Sequence, residues 1–230
     1  MRQIIAAGGG FPTRAPDAPK LESYVLAAAR VVRPRVCFLG TASGDDPGVI
    51  AHFYERYRPL SCEPSNIPLF RRTPLHLREV LLASDVIHVG GGNTRSMLAV
   101  WRHWGVDAIL REAYENGSVL CGSSAGAICW FDEGLTDSVE GELTRMACLG
   151  MLPGSACPHY DGEPERRPSY QRMIAQGLIG QGFASDDGAA LHFVDGTLHA
   201  IVSARPNARA YRVTREQDRA VETALTATEL

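Results

Sequence analysis

The sequence predicts an α/β fold: a doubly wound, mostly parallel sheet with helices on both faces and antiparallel edge strands near the C-terminus. Three observations carry that expectation. Short apolar runs alternate with segments of helical periodicity through the first half of the chain, the rhythm of consecutive βαβ units. Four of the apolar runs end in a cluster rich in Gly, Ser or Thr, as expected of loops at the carboxyl edge of a parallel sheet. The last third changes to short strand patterns joined by the hairpin dipeptide Asp195-Gly196, which suits antiparallel strands added at an edge.

The elements follow in order. Residues 2–7 form an apolar strand ending at Gly8-Gly9-Gly10, and residues 21–32 have helical spacing. A second strand, 35–39, ends at Gly40-Thr41-Ala42-Ser43. A helix over 47–58 carries Pro47 in its first turn, where a missing N–H is harmless. Residues 66–70 form a third strand and 75–83 a helix. The strand 85–89 runs into Gly90-Gly91-Gly92-Asn93-Thr94, and a long helical pattern over 95–115 breaks at Gly105. After the strand 119–121 comes the turn Gly122-Ser123-Ser124-Ala125-Gly126, with a helix opening over 127–131. Strands at 189–194, 198–203 and 208–213 follow, and the tail, 217–230, reads as a terminal helix or a partly disordered segment.

Bulk properties exclude several function classes. The 230 residues are 45% hydrophobic and 21% charged, with a net charge of −3, ordinary globular values that suffice for one α/β domain spanning the chain. No basic block supports nucleic-acid binding, and no apolar run is long enough to span a membrane. The apolar N-terminus stops at a glycine cluster, as a first strand does and a signal peptide does not. None of the six cysteines forms a CxxC pair and the seven histidines lack paired ligand spacing, so the expectation is reduced thiols, a cytoplasmic location and no metal.

The chemistry concentrates at 119–127. Strand, Gly-flanked turn and helix make a nucleophile elbow with the G-x-S-x-G pattern, which presents Ser124 above the sheet edge. A Cβ at either flanking glycine would collide with a neighbouring element. The adjacent helix N-terminus favours developing negative charge. His159, in a loop and restrained by Pro158, has the best setting of the seven histidines to take the Ser124 proton. Four carboxylates in loops, Asp137, Asp161, Asp186 and Asp187, could orient it, and spacing does not choose among them. The N–H groups of Ala125 and of Gly91 or Gly92 are the candidate oxyanion donors. The glycine runs satisfy neither dinucleotide nor P-loop patterns.

Gly90-Gly91-Gly92-Asn93-Thr94, Gly122-Ser123-Ser124-Ala125-Gly126-Ala127 and Pro158-His159-Tyr160, in this order and spacing, resemble the peptidase E family of aspartyl dipeptidases, with cyanophycinases as more distant members. The resemblance implies a class I glutamine amidotransferase-like fold and a cytoplasmic serine hydrolase that needs no cofactor and acts on a small peptide. By residue it implies Ser124 as nucleophile and His159 as base, and it assigns the 90–94 loop to the oxyanion hole, with Asn93 and Thr94 at the substrate. The setting Asp186-Asp187-Gly188-Ala189-Ala190 implies Asp187 as the third member, one methylene shorter than the glutamate common there; Asp137 ranks second. Arg167 falls where a family arginine meets the side-chain carboxylate of an N-terminal aspartate. The sequence is compatible with a homodimer and carries no feature that specifies one. The competing functions are another amide or ester hydrolysis on the same scaffold, or a weakened homologue that binds amino acids or peptides.

Overall fold

The computed structural model describes residues 1–11 and 19–230. Its first half is β1 (Gln3–Ala7), α1 (Lys20–Ala28), β2 (Arg35–Leu39), α2 (Pro47–Tyr57), β3 (Glu63–Asn66), α3 (Leu77–Leu82), β4 (Val86–Val89), α4 (Thr94–Trp104), α5 (Val106–Glu115) and β5 (Val119–Ser123). The second half is α6 (Ala125–Ile128), β6 (Phe131–Thr136), β7 (Thr144–Ala147), β8 (Leu152–Cys157), α7 (Arg166–Ala175), β9 (Gly182–Ser185), β10 (Ala189–Val194), β11 (Thr197–Ser203), β12 (Ala210–Glu216), β13 (Arg219–Leu225) and β14 (Thr228–Glu229).

Five parallel strands, ordered β1-β5-β4-β2-β3, form the centre of an eight-stranded sheet. β10 adds antiparallel to β1, β11 antiparallel to β10, and β14 closes that edge. The central strands are buried on both faces, as their near-continuous apolar runs require. Alternate side chains pack to opposite sides. Ile5, Val36, Phe38 and Cys121 meet Leu21 and Val25 of α1 and Phe53 and Tyr57 of α2. Ile4, Cys37, Ile87 and Leu120 meet α3, α4 and α5 through Leu81, Met97, Trp101 and Leu110. Helices therefore cover both faces, which is the doubly wound arrangement.

A second, six-stranded sheet, β13-β12-β9-β8-β6-β7, was not legible in the sequence. Phe131, Leu152, Ala156 and Phe183 from this sheet join the α3–α5 side of the core. α7 covers its other side through Tyr170, Met173 and Ile174.

Four local expectations need correction. The third strand is Glu63–Asn66, not 66–70: Pro64 is tolerated on the edge strand, while the Asp45 carboxylate captures the N–H groups of Leu69 and Phe70 and withdraws them from the ladder. The helix after the elbow stops at Ile128, and Phe131 begins β6, because the fully buried Trp130 and Phe131 are drawn into the core. The segment expected at 208–213 is β12, and it pairs with β9 and β13 of the second sheet instead of the first. The tail is neither helical nor disordered: β13 forms a seven-residue ladder with β12, and cross-strand pairing overrides the helix preference of its Ala, Glu and Leu residues. All six cysteines are free thiols. No described helix is long and apolar enough to cross a membrane.

Candidate active site

The site gathers at the carboxyl end of β1. Ser124 follows β5 with φ 55° and ψ −117°, a conformation that non-glycine residues adopt only when the surroundings enforce it, at a cost of about 1–3 kcal/mol. The enforcement is visible. Its N–H donates to the Ala7 carbonyl at 3.3 Å, and its own carbonyl accepts from Ala127 and Ile128 at 2.9 and 3.0 Å. A Cβ on Gly122 or Gly126 would stand 2.4 or 2.2 Å from the Val89 carbonyl oxygen, so the elbow packs directly against the end of β4. Ala125 is the first residue of α6, and its N–H has no partner within the helix.

Gly91 lies beside the serine: a Cβ there would be 3.3 Å from Ser124 Cβ and 3.8 Å from Oγ. Gly92 turns elsewhere. At φ 135° its backbone presses on Ala42, whose carbonyl accepts the Asn93 N–H at 2.8 Å. The loops after β2, β4, β5 and β1 thus touch in series.

His159 also has a positive φ, 54°, and its N–H donates to the Gly8 carbonyl at 3.2 Å. Consecutive β1-end carbonyls, of Ala7 and Gly8, therefore anchor Ser124 and His159. The imidazole Nδ1 donates to Asp187 Oδ1 at 2.6 Å. That bond is the main reason the Asp187 carboxyl is held below its ordinary value, burial opposing it and Arg205 assisting. Two glycines make room for the pair. A Cβ on Gly9 would sit 1.9 Å from Asp187 Oδ1 and 2.6 Å from both His159 Cε1 and Nδ1, and one on Gly162 would sit 2.4 Å from Asp187 Oδ2.

The other three loop carboxylates are committed elsewhere. Asp137 is mostly exposed and pairs with Arg166 at 3.4 Å. Asp186 is buried, accepts from the Arg209 N–H at 2.9 Å, and has its carboxyl raised chiefly by that burial. Asp161 accepts the Asp187 N–H at 2.9 Å and pairs with Arg205.

The residues expected at the substrate have protein partners here. Asn93 caps α4 by accepting from Ser96 N–H and donates to the Ser138 carbonyl, both at 2.9 Å. Thr94 is buried. Arg167 pairs with Glu222, with its guanidinium over the rings of Tyr160 and Tyr211 at 5.2 and 5.0 Å. The same Glu222 carboxylate accepts from the Tyr160 hydroxyl at 2.6 Å and Gln171 at 2.8 Å. Neither Glu222 nor Arg205 carries a sequence signal: Glu222 lies on β13, in a tail not expected to form a strand, and Arg205 lies in the loop after β11. Ser123, beside the elbow serine, donates from its hydroxyl to the Phe11 carbonyl. No cluster of three or more His, Cys, Asp or Glu suited to a metal occurs among the described residues.

A strained serine on a strand-to-helix elbow, with an imidazole–carboxylate pair at the same strand end, belongs to a class of hydrolytic α/β folds. The chain is a member of peptidase family S51, whose family model matches residues 4–201. It is 51% identical over 213 residues to YgaJ, an uncharacterized peptidase of Bacillus subtilis (strain 168), covering 93% of this chain and 92% of that protein. In fold it is similar to a peptidase from an acI-B1 Actinobacterium, with a TM-score of 0.73 and 17% identity over 99% of this chain and 95% of the other. It is also similar to a candidate peptidase E of Listeria monocytogenes EGD-e, with a TM-score of 0.63 and 16% identity over 98% and 100% of the two chains.

Proposed function

We propose that this peptidase is a cytoplasmic serine-type enzyme that hydrolyses dipeptides, with Ser124 as nucleophile, His159 as general base and Asp187 as the orienting acid. The observation that supports it most is the shared anchoring at β1, with Ser124 bonded to the carbonyl of Ala7 and His159 to that of Gly8, while Asp187 fixes the ring through Nδ1. With Nδ1 donating to the carboxylate, Nε2 is left as the acceptor. It takes the proton from Ser124 Oγ as the oxygen attacks the peptide carbonyl. The N–H groups of Gly91 and Ala125 receive the developing oxyanion. His159 returns the proton to the leaving amine, an acyl-enzyme remains on Ser124, and water attacks it with the same base assisting.

Aspartate at the substrate N-terminus is the first side-chain preference to test, with Arg167 as the residue that would receive its carboxylate. A second reading, another amide or ester substrate on this scaffold, is favoured by one contact: Glu222 already occupies the guanidinium, so an acidic substrate must displace it. Hydrolysis of Asp-X and neutral X-X dipeptides by wild type and Ser124→Ala tests both. Loss of turnover and of fluorophosphonate labelling in Ser124→Ala is expected. Equal rates in the two proteins would end the serine reading, and a wild-type preference for neutral dipeptides would end the aspartate preference alone.

A further inference from the structure

Asp187 is not held by its side chain alone. Its N–H donates to Asp161 Oδ1 at 2.9 Å, and its carbonyl accepts from Arg205 Nε at 3.0 Å. Arg205 in turn pairs through its other nitrogen with the second oxygen of Asp161. Asp161 stands two residues after His159, so the loop bearing the imidazole and the loop bearing the carboxylate are joined twice, once through His159–Asp187 and once through Asp161 and Arg205. The third anchor is covered by glycine: Gly188, at φ 81°, lies under the Arg205 side chain, where an added Cβ would be 3.0 Å from Arg205 Cβ. Arg205 follows β11, and Ala204, between them, donates its N–H to the Gly188 carbonyl at 2.9 Å.

We infer that Arg205 and Asp161 are positioning residues for the reaction: they set the distance between the loops of His159 and Asp187, so that a carboxylate as short as aspartate meets Nδ1. This inference rests on the triad reading above. The fork of a guanidinium is what lets one side chain hold a backbone carbonyl and a carboxylate together. The pair is half in solvent, with side-chain exposures of 51% for Arg205 and 35% for Asp161, and exposed pairs add little to folding stability. A role confined to holding the fold would therefore show little in any assay, whereas a role in geometry shows in turnover.

The test compares Arg205→Ala, Arg205→Lys and Asp161→Ala with wild type by steady-state dipeptide hydrolysis, fluorophosphonate labelling rate and thermal melting, each also in an Asp187→Ala background. Arg205→Ala and Asp161→Ala should lower kcat and the labelling rate about ten- to a hundredfold, the effect of a misplacement near 1 Å, with KM and melting temperature nearly unchanged. Arg205→Lys, which keeps the charge at Asp161 but loses the fork, should recover part of the rate. In the Asp187→Ala background the same changes should cost almost nothing further, because they act through Asp187. Wild-type kcat in both alanine variants, or an undiminished loss in the Asp187→Ala background, would overturn the positioning role while leaving the serine reading intact. Retained hydrolysis and labelling in Ser124→Ala would overturn the serine reading and this inference with it.

Discussion

Gly9→Ala is the sharpest perturbation available, because it inserts one methyl group between two side chains and changes nothing else. Gly9 has no positive φ, so alanine is acceptable to the backbone, and the objection is purely spatial. The new Cβ would lie 1.9 Å from Asp187 Oδ1 and 2.6 Å from the His159 ring. Carbon and oxygen repel strongly inside about 3 Å, so the carboxylate must retreat by about 1 Å. A 2.6 Å hydrogen bond stretched by that amount passes beyond hydrogen-bonding range. Misplacement of about 1 Å costs roughly 10²-fold in rate, and loss of the acid's orienting effect up to about 10⁴-fold, so kcat should fall between those limits. Overpacking should cost about 1–3 kcal/mol of stability, a drop of roughly 2–12 °C in melting temperature for a chain of this size. Gly196→Ala is the control. Unlike Gly9→Ala it strains the backbone, at φ 80°, yet its Cβ would meet nothing within 4 Å. The measurement is dipeptide turnover and fluorophosphonate labelling below the melting temperature of each variant. Gly9→Ala should lose both and Gly196→Ala neither. Wild-type kcat in folded Gly9→Ala would refute the dependence of turnover on the His159–Asp187 contact.

Two further outcomes are expected. His88 is fully buried among Phe11, Phe38 and Tyr57, and burial pushes its imidazole down to about 3. A depressed histidine favours folding while neutral, so that stability is present above about pH 6.5 and is withdrawn as pH falls toward 3, by about 3 kcal/mol at pH 4. In His88→Phe, urea midpoints measured from pH 7 to pH 4 should lose that much of their pH slope, with a constant penalty from the Tyr57 hydroxyl left without its partner; an unchanged slope would assign the acid sensitivity to other groups. Glu222→Gln should free the Arg167 guanidinium and raise kcat/KM for acidic over neutral N-terminal residues by about tenfold, the scale of one charge-assisted contact. No change in that ratio would remove Arg167 from substrate recognition.

The central sheet was readable because its strands and helices alternate with clean periodicities: 35–39 matched to the residue, and Gly105 broke the helical pattern where it adopts φ 68°. The second sheet was not, for local reasons. β6 carries Asp132, Glu133 and Gly134, and β8 carries Pro153 and Gly154, none of them strand formers. Their pairing is decided by Phe131, Leu152 and Ala156 meeting the first sheet. At the site, the elbow announced itself through Gly122 and Gly126, and the loop carrying Asp187 through its place before a strand. The contact that puts Asp187, and not Asp137, Asp161 or Asp186, on the His159 ring was hidden, because it depends on how β10 and β11 dock beside β1. Gly9 and Gly162 look like ordinary loop glycines in the sequence, and only the packed structure shows what they leave room for.

The neighbouring aspartates 186 and 187 face different halves of the molecule. Asp186 is fastened to Arg209, at the start of the segment leading into β12 of the second sheet, while Asp187 bridges to Gly9 at the tip of β1 in the first. One dipeptide therefore rivets the seam between the two sheets. Any slippage along that seam would be felt in turnover while both sheets still gave their normal far-ultraviolet circular dichroism, so that on heating or in mild denaturant the catalytic signal should fade first.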